Sequence, residues 1–401
     1  MKLYTVKLIL SILLTVFVVG VSAQGFRSSY FLDGATFRHQ MNPAFMGERN
    51  YVSIPVLGNM NIGVQGNVGL SDFIYKYDHP KYDLTTFLNS SVGREEFLDK
   101  LHTNNKINAN INLTILSFGF HKWGGFNTFE IGLKSNTSIN MPYELFNFMK
   151  TGMDKLEGSE YHIKDFAMRS NNYVELALGH ARPVNDKLTV GGKLKILFGG
   201  ANADAKFDRM DIKMSENEWV INAYGKVDAS IKGGSFETRN PNEDGMREIK
   251  GFDVESPGIG GLGLGIDLGA TYKLRDDLTL SAAVIDLGFI SWKNSLRGYN
   301  NGTPYTFKGF TDIEIDPDKE SPNYNGGDLE DQFDQMKDDL EDIVKFYDHG
   351  DGGRRGTMLA TTINLGAEYI FPYYDKLSFG LLSSTRINKP YTWTEIGRAH
   401  V

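Results

Sequence analysis

The stretch ARPVNDKLTVGGKLKIL (Ala181–Leu197) decides how this chain is read. Two alternating segments flank a short Pro-Val-Asn-Asp connection. The second arm and its continuation place Leu188, Val190, Leu194, Ile196 and Phe198 on one side, with Lys193 and Lys195 on the other. Successive side chains of an extended strand point to opposite faces, so the pattern marks a strand with one oily and one hydrophilic face. The phrase returns as TYKLRDDLTLSAAVI (Thr271–Ile285) and, two residues longer, as EYIFPYYDKLSFGLL (Glu368–Leu382). Copies start 90 and 99 residues apart, measured from Leu188 to Leu278 to Leu377, which is no solenoid or propeller period.

Other segments alternate in the same way. Ile62, Val64 and Val68 oppose Asn61, Gln65 and Asn67; Ile107, Ala109, Ile111 and Leu113 oppose Asn108, Asn110, Asn112 and Thr114. Leu262, Leu264, Ile266 and Leu268 face away from Asp267, and Ile363 and Leu365 from Asn364 and Glu368. These runs reach about ten residues, beyond the five or six usual in globular sheets and enough for a tilted strand to cross a bilayer. Connections then alternate between short and long. The short ones are Lys122–Asn127 and the turns at Asn185, Asp186, Asp276, Asp277 and Asp375; the long ones lie near 72–105, 141–170, 200–258 and 292–356. Short turns on one rim and long loops on the other are the layout of an antiparallel transmembrane β-barrel of outer-membrane type. On this reading the five Asx residues mark periplasmic turns. Asn108, Asn110, Asn112, Lys193, Lys195, Asp267, Asn364 and Glu368 face the lumen. Trp123, Tyr272, Trp292, Tyr369 and Phe371 suit aromatic girdles, and His180 an interfacial position.

The long connections carry amphipathic patterns. Helices are expected within Leu84–His102, Pro142–Leu156 and Asp328–Tyr347, and a hairpin standing outside the membrane within 205–235.

The N-terminus has Lys2 and Lys7, an apolar run from Leu8 to Val21, and a small-x-small site ending at Ala23. That is the layout of a cleaved secretory signal over residues 1–23, the run being too short to span about 30 Å. Residues 24–50 then form a periplasmic or lumenal segment, and 51–395 the barrel. About nine crossings are legible, with a tenth beginning at YTWTE (Tyr391–Glu395). Outer-membrane barrels close with even strand numbers, so the barrel is expected to be incomplete at its C-terminal end. The final IGRAHV (Ile396–Val401) fits no strand pattern and back-translates in one frame to a sequencing adapter, ATC GGA AGA GCA CAC GTC. Those six residues are expected to be non-native.

The composition excludes several classes. In 401 residues there is no cysteine, hence no disulfide, thiolate metal site or cysteine nucleophile. Of the net charge of −8, the segment 311–350 carries fourteen Asp/Glu against three Lys/Arg, leaving a near-neutral body with no basic face for nucleic acid. DIEIDPDKESPNYNGGD (Asp312–Asp328) lacks the order of a calcium loop and reads as a solvated acidic loop. DHGDGG (Asp348–Gly353) reads as a flexible turn. GIGGLGLG (Gly258–Gly265) sits in no strand–turn–helix unit, so its glycines serve close packing and not a phosphate. No catalytic constellation, cofactor site or metal site emerges.

The stretch SSYFLDGATFRHQMNPAFMGERNYVSIPVLGNMNIGVQG (Ser28–Gly66) resembles the start of uncharacterised outer-membrane barrels of Bacteroidota, with a distant similarity to the FadL-type fatty-acid transporters and their PorV-like secretion relatives. Asn42-Pro43-Ala44 and the YVSIP entry at Tyr51–Pro55 carry it. The resemblance implies about fourteen strands in a complete barrel, with Asn42, Pro43 and Ala44 plugging or bracing the lumen. It also implies a non-enzymatic outer-membrane protein in contact with lipid. Its leading expected function is passive transport of an apolar or amphipathic small molecule. The alternative is a scaffold barrel that binds secreted proteins, and a soluble periplasmic β-sandwich is the structural alternative.

Overall fold

The computed structural model describes residues 29–54, 59–79, 82–153, 158–216, 218–241, 245–307, 345–373, 377–388 and 392–400. After two short 3-10 turns come β1 (Tyr51–Ser53), β2 (Met60–Gly66), β3 (Ile74–His79) and β4 (Tyr82–Thr86). Then follow α1 (Arg94–Leu98), β5 (Asn104–Lys122), β6 (Gly125–Pro142), α2 (Tyr143–Thr151), β7 (Ser159–Pro183) and β8 (Leu188–Met214). Next are β9 (Trp219–Ile231), β10 (Gly234–Thr238), β11 (Ile249–Val254), β12 (Gly261–Arg275) and β13 (Leu278–Phe307). The chain ends with β14 (Tyr347–Met358), β15 (Thr361–Ile370), β16 (Ser378–Ile387) and β17 (Trp393–His400).

Thirteen strands form one antiparallel sheet with the main path β1-β5-β6-β7-β8-β12-β13-β15-β16-β17; β2 pairs with β5, β9 with β8 and β13, and β14 with β13. The sheet curls strongly. Just past β16, the Asn388 amide donates to Asn136 Oδ1 (2.7 Å) and Ser138 Oγ (2.5 Å) on β6, with five strands between them along the ladder. Among the described residues no ladder joins β2 to β17. No described helix is long and apolar enough to cross a membrane.

The alternation sorts the two faces as read from sequence. On the convex side Leu194 is 70% exposed and Leu264 61%, with Leu178, Leu262, Leu268, Leu365 and Leu381 beside them. A soluble sandwich would cover such leucines with a second sheet, and among the described residues none lies over them. The concave side buries Asn108, Glu130, Glu175, Lys193, Lys195 and Asp267.

Short turns gather at one end. Trp123 (φ 57°) and Gly124 (φ 72°) form a two-residue hairpin with both central residues left-handed, the geometry that matches strand twist. Asn185 Oδ1 accepts from the backbone N–H groups of Lys187 and Leu188 (both 2.9 Å), and Asp276 and Asp277 join β12 to β13. Asp375 lies outside the described residues.

At the other end the sheet goes further than its sequence suggests. β7 and β8 run to 25 and 27 residues, and β13 to 30. The expected loops are therefore largely strand, including Asp348–Gly353, which belongs to β14 despite its turn-like composition. The amphipathic signal fades there because small polar residues, as in SNTSIN (135–140) and ANADAK (201–206), occupy both faces while the ladder continues. The expected hairpin at 205–235 is present as the far part of β8 paired with β9. Pro142–Leu156 contains α2, with Pro142 as its N-cap, but only Arg94–Leu98 of Leu84–His102 is helical because β4 takes the preceding residues. Most of Asp328–Tyr347 lies outside the described residues. Ile396–His400, without alternation of its own, is paired to β16 as part of β17.

Trp292 is not a girdle residue. A bulge in β13 turns it inward, where it is fully buried with Tyr173, Leu197, Ile290 and Leu359, and its indole N–H donates to Thr357 Oγ1 (2.7 Å). Trp123, Tyr272 and Phe371 do stay exposed at the short-turn end. Trp292→Ala should cost about 3–5 kcal/mol in equilibrium unfolding, since truncation empties the centre of this layer. A loss below about 1 kcal/mol would show that the layer is not packed as described.

Candidate functional site

The N-terminal segment enters the concave side and is fixed there by polar contacts to strands far apart in sequence. Tyr30 Oη meets Ser281 Oγ (2.9 Å), and the Asn364 amide donates to the Met41 carbonyl (2.8 Å). Arg38 hydrogen-bonds to the Tyr30 carbonyl and Asp33 while its guanidinium covers the Phe45 ring. Asn42 is fully buried; its amide donates to the carbonyls of Ala270 (3.3 Å) and Ala282 (3.4 Å), and its Oδ1 accepts from the Ala44 N–H (2.9 Å). Gly191 and Gly269 make this approach possible. A Cβ at Gly191 would overlap the Pro43 carbonyl, and one at Gly269 would overlap Asn42 Oδ1. Asn42, Pro43 and Ala44 thus sit in a notch cut by two glycines.

Above this seat lies a charged cluster. Lys193 Nζ reaches Glu130 Oε2 (2.6 Å) and donates to His39 Nδ1 (2.9 Å). His39 Nε2 then faces Tyr51 Oη (2.7 Å), and Tyr51 faces Ser117 Oγ (2.8 Å), so the neutral ring carries its proton on Nε2. Burial, and next the Lys193 ammonium, lower the His39 pKa to about 3. Lys195 Nζ meets Asp286 (2.5 Å), Asp267 (2.8 Å) and Glu175 (3.7 Å), and Lys134 pairs with Glu175 (3.2 Å). Charges removed from water need such partners.

Asp286 shows how the fold secures one of them. Strict alternation along AAVIDLGF would turn its carboxylate to the convex face. Instead Ile285 and Asp286 form a bulge opposite Asp267, with Asp286 at φ 59° and its N–H donating to Asp267 Oδ1 (2.7 Å). The bulge aims the side chain inward and reverses the parity of the strand beyond it.

A polar interior cavity of about 160 Å³ lies between the N-terminal segment and this cluster. Of the residues expected to face inward, Asn110, Asn112, Lys193, Lys195, Asp267 and Asn364 line it. Asn108 is buried on the same face nearer the long-loop end, donating to Ser138 Oγ (2.6 Å), and Glu368 accepts from Ser378 Oγ (3.1 Å) near the short-turn end. Sequence reading missed Glu130, Glu175 and Lys134, although alternation in β6 and β7 places them on the face of Asn136 and Tyr173. His39, Gln40 and Asp286 follow no periodicity. His180 is exposed on the convex side, with Nδ1 against Asn127 Oδ1 (2.9 Å).

The end opposite the short turns builds apolar cores of its own. Phe87, Val92, Phe97, Leu98 and Phe146 pack together from the β2–β5 connection and α2. Tyr161, Ile163, Ile212, Met214 and Ile221 form a second cluster on the extended strands.

Two outcomes test this arrangement. Gly269→Ala should unseat the N-terminal segment and speed trypsin cleavage at Arg38 or Arg49 about tenfold, whereas Gly265→Ala, whose added methyl meets only ordinary contacts, should not. His39, neutral when folded and facing Lys193, Glu130 and Tyr51, gives the second. Between pH 6.5 and about 3 the unfolded chain takes up a proton at His39 that the folded one refuses. Stability is therefore full above pH 6.5 and falls by up to about 1.4 kcal/mol per pH unit on acidification through that window. Unfolding of His39→Gln should show a shallower pH dependence; an identical slope would mean that His39 is not buried in its neutral form.

A comparison with curated proteins finds no match. Residues 43–398, from the glycine-seated Pro43 through nearly all of the curled sheet, match one family profile, so the chain belongs to the family of unknown function DUF5723.

Proposed function

We propose that this chain is a non-enzymatic outer-membrane β-barrel protein that works as a binding scaffold at its long-loop end and not as an open conduit. The observation that carries the reading is the division of its interior. One end holds the seated N-terminal segment, the middle holds a cluster of paired charges, and Trp292 with Tyr173, Leu197, Ile290 and Leu359 fills a layer beyond it. An apolar or amphipathic solute, the cargo first expected, would have to pass four acids and three lysines whose partners it cannot replace. The extended strands instead support aromatic and aliphatic cores that no pore requires. The exposed convex leucines favour lipid as the surrounding medium. A role like that of PorV-like secretion relatives fits this division better than one like that of the FadL-type transporters.

Purified protein should shift its gel mobility on heating, as barrels do, and should carry no steady conductance in planar bilayers. A photo-crosslinker at Leu88 or Met149, both exposed at the long-loop end, should capture a secreted protein in intact cells, while one at Leu264 should not. Uptake of an apolar dye that depends on the protein, without capture from the long-loop end, would overturn the scaffold reading.

A further inference from the structure

The interior cavity contains one cation that no carboxylate approaches closely, the fourth set against four acids. Glu130, Glu175, Asp267 and Asp286 each lie within 4 Å of a lysine ammonium. Arg386, on β16, lines the same cavity, yet among the described residues its guanidinium has no hydrogen bond and no carboxylate within ion-pair distance, and its Nε is shut off from solvent. Asp286 attracts it only from beyond ion-pair distance. A guanidinium presents five donors in a planar fork suited to a carboxylate, and leaving the buried Nε–H of that fork unmatched is costly.

The wall opposite is made of amides. Asn61 on β2 and Asn112 on β5 are register partners, and both line the cavity. Gln65 Oε1, further along β2, is buried without a hydrogen-bond partner. Amides of this kind offer donors and acceptors together, which suits hydroxyl groups and not an alkyl chain. Trp393, the register partner of Arg386, adds an indole to the lining. At roughly 10–15 Å³ per water, a cavity of about 160 Å³ accommodates on the order of ten waters, the space of a single sugar ring.

We infer that this cavity is a binding site for a monosaccharide-sized hydroxy-carboxylate, with Arg386 receiving the carboxylate and Asn61, Asn112 and Gln65 the hydroxyls. Each acid of the cavity already lies against a lysine, so the carboxylate meets the cation that has no close partner among the described residues. The paired charges around it set the walls and stay paired. This inference does not depend on what the long-loop end binds, because no residue of the two apolar cores there lines the cavity.

The test is calorimetric titration of the full chain, folded in detergent and checked by heat-modifiable migration, with glucuronate, glucose and acetate as probes. Glucuronate should bind about tenfold or more tighter than glucose or acetate, since only it satisfies both the fork and the amides. Arg386→Gln should remove the preference for glucuronate over glucose while preserving heat modifiability. Asn112→Leu should weaken glucuronate and glucose alike and leave acetate unchanged. Should Arg386→Gln not fold, Arg386→Lys provides the second reading: a retained point charge without the fork should lower the preference but not abolish it. Equal affinity for glucuronate and glucose, or no heat of binding for either, overturns the inference. Binding of acetate as tight as glucuronate would reduce the site to one for simple anions and overturn it equally.

Discussion

Lys195 can leave water only because three carboxylates arrive at its ammonium from three different strands. Asp267 comes from the neighbouring β12, Asp286 from the bulge in β13, and Glu175 from β7 on the other side. A lysine taken into a closed interior without them would face a desolvation cost of several kcal/mol. The interior architecture is arranged around that requirement. The bulge exists where a carboxylate would otherwise point outward, and it sets the parity that sends Trp292 into the layer beyond. Lys193, one pleat along β8, repeats the solution with Glu130 and a neutral imidazole.

The same requirement explains why the N-terminal segment belongs to the fold and is not an appendage. Gln40 donates to Glu130 (2.6 Å) and Asn364 donates to the Met41 carbonyl, so the segment supplies hydrogen bonds that the sheet's own inward residues lack. In return Gly191 and Gly269 give up side chains that would have filled the space. Concave face and inserted segment are complementary in both volume and hydrogen bonding.

Much of this is legible in the sequence. Period-two alternation identified the strands, their two faces and the short turns, because each depends on local geometry alone. Lys193, Lys195, Asp267 and Asn364 were placed on the inner face by that rule, and Asn42-Pro43-Ala44 by resemblance to known barrels. What escaped depends on long-range fit. Asp286 obeys a bulge that no local pattern announces. His39 matters only because Lys193 and Tyr51 flank it. The extended ends of β7, β8 and β13 were hidden because strands with polar residues on both faces carry no amphipathic signal. Arg386 has an ordinary place in an alternating strand, and its isolation from carboxylates is visible only in three dimensions.

The long-range seating of the N-terminal segment sets an order for assembly. Tyr30 bonds Ser281 across 251 positions of chain, and Asn364 bonds Met41 across 323. This segment therefore has no complete binding place until the much later β13 and β15 have paired. Contacts of such separation form late because the loops they close are long. The docking of this segment therefore follows the pairing of β13 and β15 during assembly.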